Sequence, residues 1–211
     1  MPDVLNDPRQ HLEYVGKILG NDMRSGAVIS ESDLREPEAG VVSALAELQS
    51  LEPLVALDEC VFRELGTDYA AKPWELANFA CWLPNKQTLS QVVMHEGRLV
   101  GFWVSSERVF GEAHVHRVAV DRQWRKAQIA RRMFAAFWRA AASMPHIVRM
   151  TVEMGVANVV AQRLYRSLGC EYLDAVGTRD YLLARARDER TEGVEIVDES
   201  GARSIVMARQ L

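Results

Sequence analysis

VAVDRQWRKAQIARRMF, residues 118–134, is the stretch on which the reading of the fold turns. Val118-Ala119-Val120 is a short β-rich run. It meets an acid, Asp121, and then a basic turn, after which Ile129, Met133, Phe137 and Ala140 recur at helical spacing with Arg131, Arg132 and Arg139 off that stripe. The pattern predicts a strand passing through a basic loop into an amphipathic helix over 128–144. A helix N-terminus leaves backbone N–H groups unpaired and carries a partial positive charge, so such a loop is a ready site for phosphate or pyrophosphate. On these residues alone, a solvated basic turn on a surface helix is an equal alternative.

Upstream, LSQVVMHEGRLVGFWVSS (89–106) holds two β-rich runs punctuated by Glu96-Gly97, as a hairpin turn requires, and Gly111 sets off a third strand, EAHVHRVAV (112–120). Before these, VVSALAELQSLEPLVALDECVFREL (41–65) is apolar at helical spacing and predicts two helices, with Pro53 in the first turn of the second. Pro73 predicts the first position of another short helix ending near Trp82. Downstream, Pro145-His146 stops the amphipathic helix, IVRMTVEM (147–154) reads as a fourth strand, and Ala157, Val160, Ala161, Leu164 and Leu168 mark the inward stripe of a helix closed by Gly169. CEYLDAV (170–176) reads as a strand, TRDYLLARA (178–186) as strand or helix, and VEIVDESGARSIVMA (194–208) as a terminal hairpin. Helices, antiparallel strands, then β–α–β–α–β predict an α+β fold with one mixed central sheet flanked by helices. Residues 1–50, with a short stripe at Leu12, Val15, Ile18 and Leu19, read as a partly helical N-terminal appendage to a main domain at 51–211.

The 211 residues are 48% hydrophobic and 26% charged, a globular balance that excludes wholesale disorder. Apolar runs such as Ala135-Ala136-Phe137-Trp138 stop far short of the ~20 residues of a membrane span, and MPDVLNDPRQ at the start is unlike a secretory signal, so a cytoplasmic protein is expected. Cys60, Cys81 and Cys170 are odd in number and widely spaced, which speaks against a disulfide framework or a zinc site. His114 and His116 form an H-x-H with metal-ligand spacing but no third ligand in register, so no metal is expected. Of the net charge of −4, the first fifty residues contribute nine acids against four bases. The remainder is nearly balanced, and the basic cluster Arg117–Arg132 lacks interleaved aromatics beyond Trp124, so nucleic acid is not an expected partner.

V-A-V-D-x-x-W-R-K-A-Q-I-A followed by V-E-M-G-V-A-N-x-x-A-x-x-L-Y-R-S-L-G-C resembles the acetyl-coenzyme A binding core of the GNAT acetyltransferase superfamily. The first motif is similar to that family's [Q/R]-x-x-G-x-[G/A] pyrophosphate loop, with Arg125 first, Ala130 last and Gln128 in place of the middle glycine. The second is similar to its N-x-x-A-x-x-L-Y-x-x-x-G-[F] helix, with Asn158, Ala161, Leu164, Tyr165 and Gly169 in place and Cys170 where phenylalanine is usual. A weaker similarity to the ribosomal-protein alanine N-acetyltransferases (RimI-like enzymes) runs from about residue 55 onward and includes Pro73-Trp74 and SIVMA. The resemblance implies a single GNAT-like domain whose central strands splay apart to admit the pantetheine arm of acetyl-coenzyme A. It implies cofactor contacts from the main chain of Val118, Ala119 and Val120, from Arg125, Lys126, Ala127, Gln128, Ile129, Ala130 and Arg131, and from Asn158 and Tyr165. By the same resemblance Glu153 is the base and Tyr165 the acid, while His114 stands where histone-type members place a catalytic glutamate.

The chemistry needs such groups. An α-amine titrates at ~7.7–8.0 and a lysine at ~10.4, so the attacking amine must shed a proton near neutrality, and the departing thiolate must gain one. The reading is therefore N-acetyl transfer by direct attack, with Glu153 or His114 as base and Tyr165 as acid. Each has a structural alternative: a strand-end carboxylate in a salt bridge, a buried histidine, a tyrosine on the helix stripe. Gln128 motivates a second reading, a non-catalytic acyl-coenzyme A binding or sensing protein. Gln128 is expected to take a negative φ as a first-turn residue of its helix. The acceptor amine, whether peptide, protein or small molecule, has no motif, and the terminal hairpin offers an edge on which a homodimer could pair.

Overall fold

The hairpin signal at Glu96-Gly97 becomes the hub of a mixed sheet. In the computed structural model, which describes residues 40–70, 72–108, 111–173 and 204–211, both turn residues have positive φ, 47° and 76°, and join β2 (Gln91–His95) to β3 (Arg98–Arg108). β4 (Glu112–Val120) follows antiparallel, and β5 (Arg149–Gly155) lies parallel to β4. β7 (Ser204–Gln210) pairs antiparallel with β5 and β6 (Glu171–Tyr172) with β7, so with β1 (Val41–Ala44) on the far edge the order is β1-β2-β3-β4-β5-β7-β6.

β1 corrects the helical reading of the first apolar segment. Val41–Ala44 is a strand paired with β2, followed by a 3-10 turn at Leu45–Glu47. The β-branched Val41 and Val42 suit the pleated edge that β2 offers, and that tertiary partner outweighs the helical spacing. Helix α1 (Glu52–Leu65) carries Pro53 in its first turn as expected. In α2 (Leu76–Ala80), Glu75 rather than Pro73 opens the helix, through a reciprocal capping box with Asn78. α3 (Lys86–Leu89) is one turn. α4 (Ile129–Ala142) and α5 (Val159–Ser167) match the two amphipathic predictions. In α5 Leu168 is buried as expected, but the inward set differs at Tyr165, which is buried, and at Val160, which is 75% exposed. Residues 1–39, the strand-or-helix segment 178–186 and the first half of the terminal hairpin lie outside the described residues.

Each face of the sheet is covered. Leu54, Leu57 and Val61 of α1 and Phe79 of α2 pack on Val92, Phe102, Val104 and Ala119. On the opposite face Trp103 meets Phe134 and Phe137 of α4 and Tyr165 of α5, with ring centroids 5.5–6.0 Å apart. Burial of each such side chain contributes about 1.5–3 kcal/mol. Gly101 lets α4 approach closely, since a Cβ there would stand 2.9 Å from Ile129 Cγ2. No helix among the described residues is long and apolar enough to cross a membrane.

Candidate functional site

The two central strands part company. β4 and β5 are paired only from Glu112↔Arg149 to Val115↔Val152, yet β4 continues to Val120 on β3, and β5 continues to Gly155 on β7. At that point the β3–β4 register passes from Ser105↔Val115 to Val104↔Arg117, leaving His116 as an extra residue. Such a bulge bends its strand, and here the bend coincides with the end of β4–β5 pairing. Beyond it, β4 at 116–120 and β5 at 153–155 are not paired with each other, which leaves a gap between the two strands. Val118, Ala119 and Val120, read as cofactor contacts through their main chain, line this gap.

β4 then leads into the N-terminus of α4. Asp121 is buried, accepts from Gln123 N–H at 2.9 Å and pairs with Arg98, fixing the start of the loop. Trp124 packs against the His95 ring, tilted by 50° with centroids 4.4 Å apart. Lys126 (φ 69°) and Gln128 (φ 60°, ψ 11°) are both left-handed. The expected negative φ at Gln128 is thus incorrect. The loop keeps the backbone that a glycine would take and places a glutamine in it, at an intrinsic cost of about 1–2 kcal/mol. No side chain caps α4, and the first helical bond is Arg132 N–H to Gln128 C=O at 3.0 Å. The N–H groups of Ile129, Ala130 and Arg131 therefore have no acceptor among the described residues and point off the helix end, as an anion requires.

Two side chains expected at the cofactor, Arg125 and Asn158, have partners within the protein. Arg125 donates both terminal nitrogens to Glu64 of α1 at 2.8 and 2.9 Å, and its Nε to Val120 C=O at 3.2 Å. It holds the loop to α1. The side chain of Asn158 accepts from Ala161 N–H at 3.0 Å and caps α5. Lys126 and Gln128 are exposed, while Ala127, Ala130 and Arg131 are half-buried.

The proton-handling candidates lie on both faces of the sheet. Tyr165 is 4% exposed and lies against Trp103, the register partner of Val118. Burial, with the neighbouring Cys170 adding to it, raises its phenol above the ordinary range, so it stands protonated as an acid must. Cys170 is itself pushed up to about 12 by burial, which makes it an inert packing residue. On the other face, His114 pairs in register with Thr151, and Glu153 is two residues further along β5, the first position past the pairing. His114 Nδ1 lies 3.0 Å from Thr151 Oγ1, and Thr151 donates to Glu112 at 2.6 Å. The His116 ring sits 4.8 Å from that of His114 and 2.7 Å from Ser106 Oγ through Nε2. Burial, then Arg108 and Lys86, push His116 down to about 3, so it stays neutral.

A family model described as the acetyltransferase (GNAT) family matches residues 52–170. The chain belongs to that family. Its co-substrate is acetyl-coenzyme A, and the gap and the uncapped α4 end fit the pantetheine and pyrophosphate of that molecule. Solved structures share the fold at low identity. The ribosomal-protein-S18-alanine N-acetyltransferase of Escherichia coli is 18% identical, over 81% of this chain and 93% of that one, with a TM-score of 0.56. The ribosomal-protein-alanine N-acetyltransferase of Brucella melitensis is 19% identical over 81% and 99%, at 0.56. A GNAT-family acetyltransferase of Staphylococcus aureus is 11% identical over 81% and 99%, at 0.58. No curated protein matches in sequence.

Three polar features of this acetyltransferase escaped the sequence reading. Arg117 forms a bidentate pair with Asp58 of α1, both bonds 2.8 Å, under Tyr69 and Trp74, whose hydroxyl and backbone N–H also donate to Asp58. Glu64 anchors the loop. Thr151 joins Glu112 to His114. The alternation of EAHVHRVAV places Glu112, His114 and His116 on one face, which hinted at the last of these, but the partners on α1 and β5 are distant in sequence.

Proposed function

We propose that this acetyltransferase moves an acetyl group from acetyl-coenzyme A to a primary amine by direct attack, with Glu153 or His114 receiving the amine proton and Tyr165 supplying one to the departing sulfur. The observation that carries this reading is the parting of β4 from β5 beside the uncapped, left-handed entry to α4. Acetyl-coenzyme A supplies a thioester whose carbonyl needs a donor. A main-chain N–H at Ala119 or Val120 is suited to that role, and such a donor is worth about 2.7–4 kcal/mol of barrier. The amine nitrogen bonds to the carbonyl carbon, the C–S bond breaks, one proton goes to the base and one passes from Tyr165 to sulfur. The likeness to ribosomal-protein-alanine N-acetyltransferases makes a protein α-amine the first acceptor to try, and the three free cysteines suit a reducing cytoplasm. Incubation with acetyl-coenzyme A alone and with a panel of peptide, lysine and small amines tests the reading by free thiol. Amine-dependent release is expected. Binding of acetyl-coenzyme A with no release on any amine overturns it in favour of an acyl-coenzyme A sensor, for which Gln128 in the glycine position is the sole support.

A further inference from the structure

We propose that α1 is a splint for the gap: Asp58 and Glu64 are positioning residues that hold the unpaired stretch of β4 in the shape that receives the pantetheine arm, before any cofactor arrives; this rests on the cofactor fit that the transfer reading also uses. Beyond the bulge, β4 has β3 on one side and no strand on the other. Asp121 N–H bonds to Val100 C=O at 2.9 Å, which makes Gly101↔Val120 a pair that exchanges no hydrogen bonds and turns the main-chain groups of Val120 away from β3, toward the gap. A strand edge left open in this way has no ladder to fix its twist or to keep it from closing on a neighbour.

α1 supplies the missing hold at both ends of the stretch. At its start, buried Asp58 takes two bonds from Arg117, each 2.8 Å; in its middle, Ala119 shares a buried cluster with Leu57 and Val61. At its end, Glu64 takes both terminal nitrogens of Arg125 at 2.8 and 2.9 Å, and the same guanidinium donates Nε to Val120 C=O at 3.2 Å. Arg125 thus grips the open edge itself. The spacings agree, since Asp58 to Glu64 is about 9 Å of helix rise and Arg117 to Val120 about 10 Å of strand. Glu64 also stands against the electrostatic demand of its surroundings. A carboxylate beside a loop that receives a pyrophosphate repels the ligand, so charge alone predicts that removing Glu64, and releasing Arg125 and Arg122 from it, tightens acetyl-coenzyme A binding. The splint predicts the opposite sign, because an edge that is no longer shaped in advance must be ordered by the cofactor.

Glu64→Ala in the full chain removes the outer pair and leaves the buried one. The side chains of Glu64 and Arg125 are 27% and 31% exposed, so their pairing adds little to global stability and Tm should move by about 2 °C or less. Calorimetry is expected to show acetyl-coenzyme A bound about 10-fold more weakly by Glu64→Ala, while ADP, which has the pyrophosphate but no pantetheine, stays within about two-fold of the parent. Hydrogen exchange over residues 115–124 without cofactor should quicken in the same variant. Arg125→Met should weaken acetyl-coenzyme A at least as much, and Glu64→Ala added to it should cost nothing further, as partners in one interaction behave. Unchanged or tighter acetyl-coenzyme A binding by Glu64→Ala overturns the proposal whatever the activity. So does an equal loss of ADP and acetyl-coenzyme A in Arg125→Met, which would make that guanidinium a phosphate ligand. Weakened binding with unchanged exchange overturns the shaping of the edge before the cofactor binds. A parent that binds acetyl-coenzyme A but releases no thiol with any amine sinks the transfer reading alone, and these binding measurements tell that failure from failure of the splint.

Discussion

Replacing Gln128 by glycine isolates the one place where this chain departs from the family's pyrophosphate loop. The residue sits at φ 60° and ψ 11°, is exposed, and makes no side-chain hydrogen bond with a described residue. Removing its side chain therefore deletes no hydrogen bond to a described residue. Relief of the left-handed conformation returns about 1–2 kcal/mol, against which the extra freedom of glycine in the unfolded chain costs about 0.5–1 kcal/mol. Gln128→Gly should thus be more stable by up to roughly 1 kcal/mol, and the usual glycine penalty inside a helix does not apply because the site precedes the first helical residue. For a chain of this size, that is a rise in Tm of about 2–4 °C or less, measurable with the urea midpoint at unchanged m-value. Clearing the side chain from the anion-facing N–H groups should also tighten acetyl-coenzyme A binding by calorimetry. A glycine form less stable than the parent refutes the strain argument. Weaker binding by the glycine form would mean that Gln128 itself touches the cofactor.

Tyr165→Phe should lower turnover about 10²–10⁴-fold with acetyl-coenzyme A affinity within a few-fold, and unchanged single-turnover rates would remove the phenol from the mechanism. Arg117→Leu leaves the carboxylate of Asp58 buried with fewer partners and should cost about 3–5 kcal/mol in urea unfolding, more than the double change Asp58→Leu with Arg117→Leu; equal losses would mean that packing and not the unpaired charge decides. His116 binds a proton near its ordinary 6.5 when unfolded but only near 3 when folded, so the unfolded chain holds more protons between those values. Stability must then fall as pH drops through that window, by up to about 1.4 kcal/mol per unit from this group, and His116→Asn should flatten the slope; an unchanged slope places the acid sensitivity elsewhere.

What the sequence made legible is what local chemistry decides. Glu96-Gly97 demands a tight turn whatever surrounds it, and the stripe of Ile129, Met133 and Phe137 has one inward solution. Val41–Ala44 was illegible because only the presence of β2 makes a strand of it. The same holds at Tyr165 and Val160, where both directions of the α5 stripe are apolar and only packing against Trp103 selects the buried one. Arg125 and Asn158 stand at the motif positions the resemblance assigned, yet their side chains face Glu64 and Ala161, because a motif reports a backbone shape and not the partner of each side chain. The His116 bulge, on which the gap depends, leaves no trace in the alternation of EAHVHRVAV.

The electrostatics of the loop follow from these pairings. Arg117 is neutralised by Asp58, Arg125 by Glu64, and Arg98 by Asp121, and Arg132 donates to Gly40 C=O at 2.6 Å. Three of the six cationic residues between 117 and 132, Arg117, Arg125 and Arg132, therefore shape the protein, and what remains at the entry to α4 is backbone N–H with the exposed Lys126 and the half-buried Arg131 beside it. An anion held this way is recognised by geometry first and charge second. Its affinity should then respond weakly to Lys126→Ala and strongly to any change that alters φ at 126 or 128, which is why the positive-φ positions and not the arginines are the sensitive points of this site.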